Sequence, residues 1–128
     1  MKAMALAAGK GTRLFPLTGE VPKPMAPVVD TPIIEHIFGL LARHGVEEVH
    51  VNVHYLADAL LGAYGAQSRV NGMSVYLDRE EKLLGTAGGV KRLAGHFDDT
   101  FIVVSGDALT DVDLGELEAF HKEKGALA

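Results

Sequence analysis

The sequence has 128 residues, 48% of them apolar, a net charge of −5 and no cysteine. That length suits one compact domain and is too short for two, and the apolar share excludes a disordered chain. No window approaches the roughly eighteen apolar residues of a membrane span, the negative balance argues against a nucleic-acid binder, and the lack of cysteine removes disulfides and thiolate metal sites and fits a reducing cytoplasm.

Lys2 to Ala7 reads as a short buried strand. The start of the chain looks superficially like a signal peptide, but Gly9-Lys10-Gly11-Thr12-Arg13 breaks the apolar run at once. Thr31-Pro32 opens a helix through about Arg43, with Thr31 as its cap and Pro32 at the first helical position. Ile33, Ile34, Ile37, Leu40 and Leu41 form its apolar stripe, and Gly45 ends it. Glu48 to Val53 is a second strand, with Val49, Val51 and Val53 on one face and His50, Asn52 and His54 on the other. Such a polar face is odd for a doubly covered parallel sheet and predicts partial exposure. Neither His50 and His54 nor His36 and His44 show partners at metal-ligand spacing, and Phe15 and Met25 read as packing residues.

Further on, the pattern predicts a short helix over Ala57 to Tyr64, a third strand over Ser74 to Leu77 and a helix over Gly85 to Leu93. Phe101 to Ser105 is a fourth, apolar strand, and Asp113 to Lys124 a last helix, with Asp111 and Asp113 as candidate caps. This alternation predicts an α/β fold: a Rossmann-like, mostly parallel sheet flanked by helices, in the strand order 3-2-1-4. Ala126-Leu127-Ala128 reads as the start of another strand, so residues 1–128 are expected to be a truncated, N-terminal nucleotide-binding portion.

The segment from Gly9 to Pro24 carries the chemistry. It follows the first strand, where ligands bind in a parallel sheet, and glycines let backbone N–H groups approach a phosphate. A dinucleotide fingerprint needs a third glycine where Leu14 stands, and a Walker A loop needs Ser or Thr where Gly11 stands. Alone, the glycine pair is as compatible with a structural turn as with a phosphate cradle. Lys10, Arg13 and Lys23 make a local positive site in an acidic protein, which suits a small polyanion.

Gly9-Lys10-Gly11-Thr12-Arg13-Leu14 with Pro16-Leu17-Thr18 and Pro22-Lys23-Pro24 resembles the signature of the sugar-1-phosphate nucleotidylyltransferases, in look nearest the mannose-1-phosphate guanylyltransferases. The resemblance continues through Pro32-Ile33-Ile34-Glu35-His36, Gly85-Thr86-Ala87-Gly88-Gly89 and Ser105-Gly106-Asp107. It implies attack of a sugar-1-phosphate oxygen on the α-phosphate of a nucleoside triphosphate, with loss of pyrophosphate. It further implies that Leu6, Ala8, Gly9, Gly11, Thr12, Gly85 and Thr86 bind the nucleotide, that Arg13 neutralises the β- and γ-phosphates and that Lys23 acts at the α-phosphate. Phosphoryl chemistry of this kind asks for positioning and charge rather than covalent work.

Asp107 alone is equally a metal ligand or a helix cap. The strand order places it across the crevice from the Gly9 loop, and the resemblance implies that it coordinates Mg2+. The second carboxylate and the sugar-phosphate residues of such enzymes have no counterpart within 1–128, so half a site is expected. Glu80 precedes the Gly85 loop, and a carboxylate suits the donor edge of guanine; GTP with mannose 1-phosphate is therefore expected, with Glu80 on the base. The alternatives are a UTP- or dTTP-dependent enzyme acting on glucose 1-phosphate or N-acetylmuramate 1-phosphate, and a catalytically silent nucleotide-sugar sensor. The expected partners are small molecules, with no nucleic acid, no membrane and self-association left open.

Overall fold

The computed structural model describes residues 1–128. Its strands are β1 (Lys2–Leu6), β2 (Pro27–Val28), β3 (Thr31–Pro32), β4 (Glu48–Val53), β5 (Gln67–Val70), β6 (Met73–Arg79) and β7 (Ile102–Ser105). Its helices are α1 (Ile33–Arg43), α2 (Ala57–Tyr64), α3 (Gly85–Leu93) and α4 (Leu114–Lys124). The main sheet has the order β5-β6-β4-β1-β7. All its pairings are parallel except β5 with β6. The expected order is therefore present, as β6-β4-β1-β7. The unexpected member is β5, joined to β6 by Asn71-Gly72, both at positive φ as a tight hairpin requires.

One face of the sheet carries the apolar core. Val49, Val51 and Val53 pack there with Ala3, Ala5 and the Ile34, Ile37, Phe38 and Leu41 stripe of α1. The opposite face is also covered, by Leu93 and Gly89 of α3. β4 is thus central, and His50 and Asn52 are buried rather than partly exposed. His50 Nδ1 lies 3.0 Å from Asp78 Oδ2 of the neighbouring β6, and its Nε2 3.3 Å from Glu48 Oε1 of its own strand. Cross-strand pairing satisfies a polar face that local sequence leaves unexplained.

Three further expectations need correction. Thr31 does not cap α1; it is held extended in a two-residue antiparallel pair with Val28, and the helix begins at Ile33. Phe15 is exposed, whereas Met25 does pack on the core. Residues 126–128 form no strand, since Gly125 in the left-handed region closes α4 and nothing after it pairs. Asp113 does cap α4, its Oδ1 accepting from Glu116 N–H at 2.9 Å. No helix is long and apolar enough to cross a membrane.

Candidate active site

The register brings three strand ends level. Leu6 pairs with Asn52 on one side and Ser105 on the other. Beyond this level β1 runs into Ala7–Gly11 and β7 into Gly106-Asp107, and the two exits are stitched by Gly106 N–H donating to the Leu6 carbonyl at 2.9 Å. A cleft of about 360 Å³ opens between them. Leu6, Ala8, Gly9, Gly11 and Thr12 form one wall, Arg13 and Lys23 supply its positive charge, and Gly85, Thr86 and Asp107 complete it. Lys10 does not line it.

The loop after β1 is folded back on itself. Gly11 adopts φ 63°, a conformation L-residues avoid. A Cβ there would also stand 3.0 Å from Lys23 Cβ and from Thr18 Cγ2. Thr18 is fully buried; its hydroxyl donates to the Gly11 carbonyl at 2.8 Å, and its own carbonyl accepts from Tyr55 Oη at 2.9 Å. This fastening lays Lys23 over Gly11 and turns both toward the cleft. Thr18 and Tyr55 hold the loop's shape, and neither side chain lines the cleft.

Lys23 Nζ is ion-paired with Asp107 Oδ2 across the cleft. Burial pushes the Asp107 carboxyl up, but hydrogen bonds from Lys23 and Ser105 and the Lys23 charge outweigh it and hold the group below the usual carboxylate range. Asp107 is the one carboxylate lining the cleft, and nowhere do three His, Asp or Glu side chains gather as a metal cage. Mg2+ commonly binds through one or two carboxylates plus substrate phosphates. The donor set here fits that mode and no all-protein site.

At the far side of the cleft, α3 begins at Gly85 with no side-chain cap. Its first N–H groups and helix dipole favour an anionic or strongly polar ligand. Glu80, expected on the base, does not line the cleft. It is 3% exposed, with Oε1 accepting from Asn52 Nδ2 at 2.8 Å and Oε2 from Leu84 N–H at 3.2 Å. Each oxygen has one partner inside the protein, and the side chain is turned away from the open cleft. Two polar residues to which the motif reading gave no role also line the cleft, Asn52 and Ser105. Asn52 was signalled by its position as an amide inside Val51-Asn52-Val53, where a buried polar side chain must have partners.

Residues 2–128 match the family model described as Nucleotidyl transferase. The chain belongs to the nucleotidyl transferase family. It is 42% identical over 139 aligned positions to a UTP–glucose-1-phosphate uridylyltransferase of Synechocystis, which covers all of this chain and 36% of the relative. It is 38% identical to a mannose-1-phosphate guanylyltransferase of Mycobacterium tuberculosis, over 97% of this chain and 34% of the relative. Among solved structures, HddC from Yersinia pseudotuberculosis complexed with GMP-PN superposes with a TM-score of 0.81 at 28% identity, covering 94% of this chain and 53% of that one. The chain thus spans about a third of the length of these curated nucleotidyl transferases and about half of the solved one.

Proposed function

We propose that the protein, at full length, transfers a nucleotidyl group from a nucleoside triphosphate to a sugar 1-phosphate and releases pyrophosphate. The observation that carries this reading is the convergence of Gly9, Gly11, Thr12, Arg13, Lys23 and Asp107 on one cleft at the carboxyl end of the sheet. The chemistry is displacement at the α-phosphorus. A bond forms from the sugar-phosphate oxygen as the bond to the pyrophosphate oxygen breaks, and negative charge grows on the leaving group. The exposed Arg13 fork neutralises that charge, and the Gly9 and Gly11 backbone N–H groups hold the phosphates. Lys23, leaving Asp107, follows charge at the α-phosphate. Asp107 would hold Mg2+, which supplies charge neutralisation to phosphate oxygens.

With Glu80 turned inward, the choice of base rests on the relatives. GTP with mannose 1-phosphate is supported by the guanylyltransferase relatives, and the guanine nucleotide alone also by the GMP-PN complex of HddC. A second reading, UTP with glucose 1-phosphate, is supported by the 42% identical uridylyltransferase. The presence of Arg13, Lys23 and Asp107 together favours an enzyme over a silent sensor, which has no need of them. The absence of cysteine fits a cytoplasmic setting.

The test is pyrophosphate release by the full-length protein with Mg2+ across GTP, UTP and dTTP, each paired with mannose 1-phosphate and glucose 1-phosphate. Turnover highest with GTP and mannose 1-phosphate is expected; preference for UTP and glucose 1-phosphate selects the second reading. Nucleotide binding without turnover for any pair would mean a sensor.

A further inference from the structure

Thr18 is fully buried and spends both arms of its side chain on Gly11. Its Oγ1 donates to the Gly11 carbonyl at 2.8 Å. Its methyl group lies against the Gly11 Cα, so close that a Cβ there would stand 3.0 Å from it. The same carbonyl accepts from Leu14 N–H at 3.0 Å, so both of its lone pairs are occupied. Two donors converging on one oxygen fix the direction in which it points.

That direction has a consequence for the other side of the peptide. The Gly11–Thr12 bond is trans, and in a trans peptide the N–H points opposite to the C=O of the same plane. The Gly11 carbonyl faces Thr18, which does not line the cleft, so the Thr12 N–H faces the side on which Gly11 and Thr12 do. No carbonyl of the chain accepts from this N–H. A backbone donor left open toward a concave, positively charged site is suited to a phosphate oxygen.

Thr18 is held in turn. Tyr55 Oη donates to the Thr18 carbonyl at 2.9 Å. Tyr55 stands in the turn between β4 and α2, closed by Ala57 N–H donating to the His54 carbonyl at 3.3 Å. Since β4 is a central strand, the contacts start on the sheet, pass through two hydroxyls and end on one peptide of the loop after β1.

We propose that Thr18 and Tyr55 are positioning residues that fix the Gly11–Thr12 peptide with its N–H toward the triphosphate, and so set nucleotide affinity without touching the ligand. This inference rests on the nucleotide site proposed above.

Three substitutions in the full-length protein separate the hydroxyls from the packing. Thr18→Val keeps the shape and the methyl contact and removes only the donor to the Gly11 carbonyl. Thr18→Ser keeps the donor and removes the methyl. Tyr55→Phe removes one oxygen from a half-buried ring. By titration calorimetry, Thr18→Val is expected to weaken GTP and UTP binding about tenfold and by the same factor, Tyr55→Phe about threefold, and Thr18→Ser to retain most of the affinity. Guanosine, which carries no phosphate, should bind all four proteins alike in competition experiments. Hydrogen exchange at the Leu14 amide, which shares the Gly11 carbonyl, should quicken in Thr18→Val and return in Thr18→Ser.

Equal losses for GTP and guanosine would mean a general loosening of the cleft, and a serine variant as weak as the valine one would mean that the hydroxyl is not the operative group. Either overturns the proposal, as does unchanged exchange at Leu14 in a folded Thr18→Val. Where Thr18→Val does not fold, Tyr55→Phe decides: weaker GTP with unchanged guanosine upholds the proposal, and unchanged GTP overturns it. If the unsubstituted protein binds neither GTP nor UTP, the functional reading fails and takes this inference with it; if it binds both and the variants do too, only this inference falls.

Discussion

The Lys23 ammonium rests on the Asp107 carboxylate, so the loop after β1 and the exit of β7 meet at one edge of the cleft. Their side chains keep 27% and 26% of their exposure. A pair so open to solvent contributes about 1 kcal/mol or less to stability, so its placement answers to something other than folding. Lys23→Gln and Asp107→Asn are each expected to change stability by no more than about 1 kcal/mol in urea unfolding. In the full-length protein each is expected to lower turnover about 100-fold to 1,000-fold, the usual effect of removing one group that stabilises developing charge. Full pyrophosphate release by either variant would remove that residue from the proposed chemistry.

The same pair carries a pH signature. Asp107 is held below its ordinary value of 3.8 by Lys23 and Ser105 against the opposing effect of burial. A depressed carboxylate stabilises the fold fully above the unfolded value, and the contribution disappears as pH falls through the lower folded one. The stability gap between the unsubstituted protein and Lys23→Gln is therefore expected to be present near about pH 6 and to close below about pH 4. Urea midpoints measured across that range decide it. A gap that stays constant to low pH would show that Asp107 is not the group Lys23 supports.

Much of this was readable in the letters because the fold repeats a simple device. β1 and β7 are short apolar runs with glycine-containing exits, and those exits are the site. Topology then brings Asp107 to the Gly9 loop. β5 was not read: Asn71-Gly72 is a hairpin signal, but Gln67-Ser68-Arg69-Val70 lacks the apolar alternation that announces a strand. What the letters could not supply was pairing between distant polar groups. Glu80 reads locally as a surface acid beside Glu81, and only the register that sets Asn52 opposite Asp78 brings Asn52 within reach of it. His50 is the same case: its carboxylate on Asp78 lies one strand away. Thr31 shows the reverse error, where sound capping chemistry yields to a two-residue β pair.

Gly11 offers a test of the loop itself. Its φ of 63° costs an alanine about 1–2 kcal/mol. The added methyl would also press on Lys23 Cβ and Thr18 Cγ2, atoms too near their backbones to swing aside. Gly11→Ala is expected to lower stability by about 2 kcal/mol and to weaken GTP binding about tenfold or more by displacing Lys23. Urea unfolding and titration calorimetry measure the two effects separately. Unchanged nucleotide affinity alongside the stability loss would mean that the loop's shape does not serve the phosphates.

Arg13 tests the assignment of the triphosphate end. It is exposed in a 3-10 turn whose backbone needs nothing from the side chain, so Arg13→Gln is expected to leave stability within about 0.5 kcal/mol. Its proposed partners are the β- and γ-phosphates, which GTP carries and GMP lacks. Loss of a hydrogen bond between charged groups corresponds to about 10-fold to 100-fold in affinity, and that loss should appear with GTP and be nearly absent with GMP. Arg13→Lys should recover only part of it, because an ammonium keeps the charge but not the planar fork that grips two oxygens at once. Equal weakening of GTP and GMP would place Arg13 at the α-phosphate or the nucleoside instead, and would reverse the order in which Arg13 and Lys23 meet the phosphate chain.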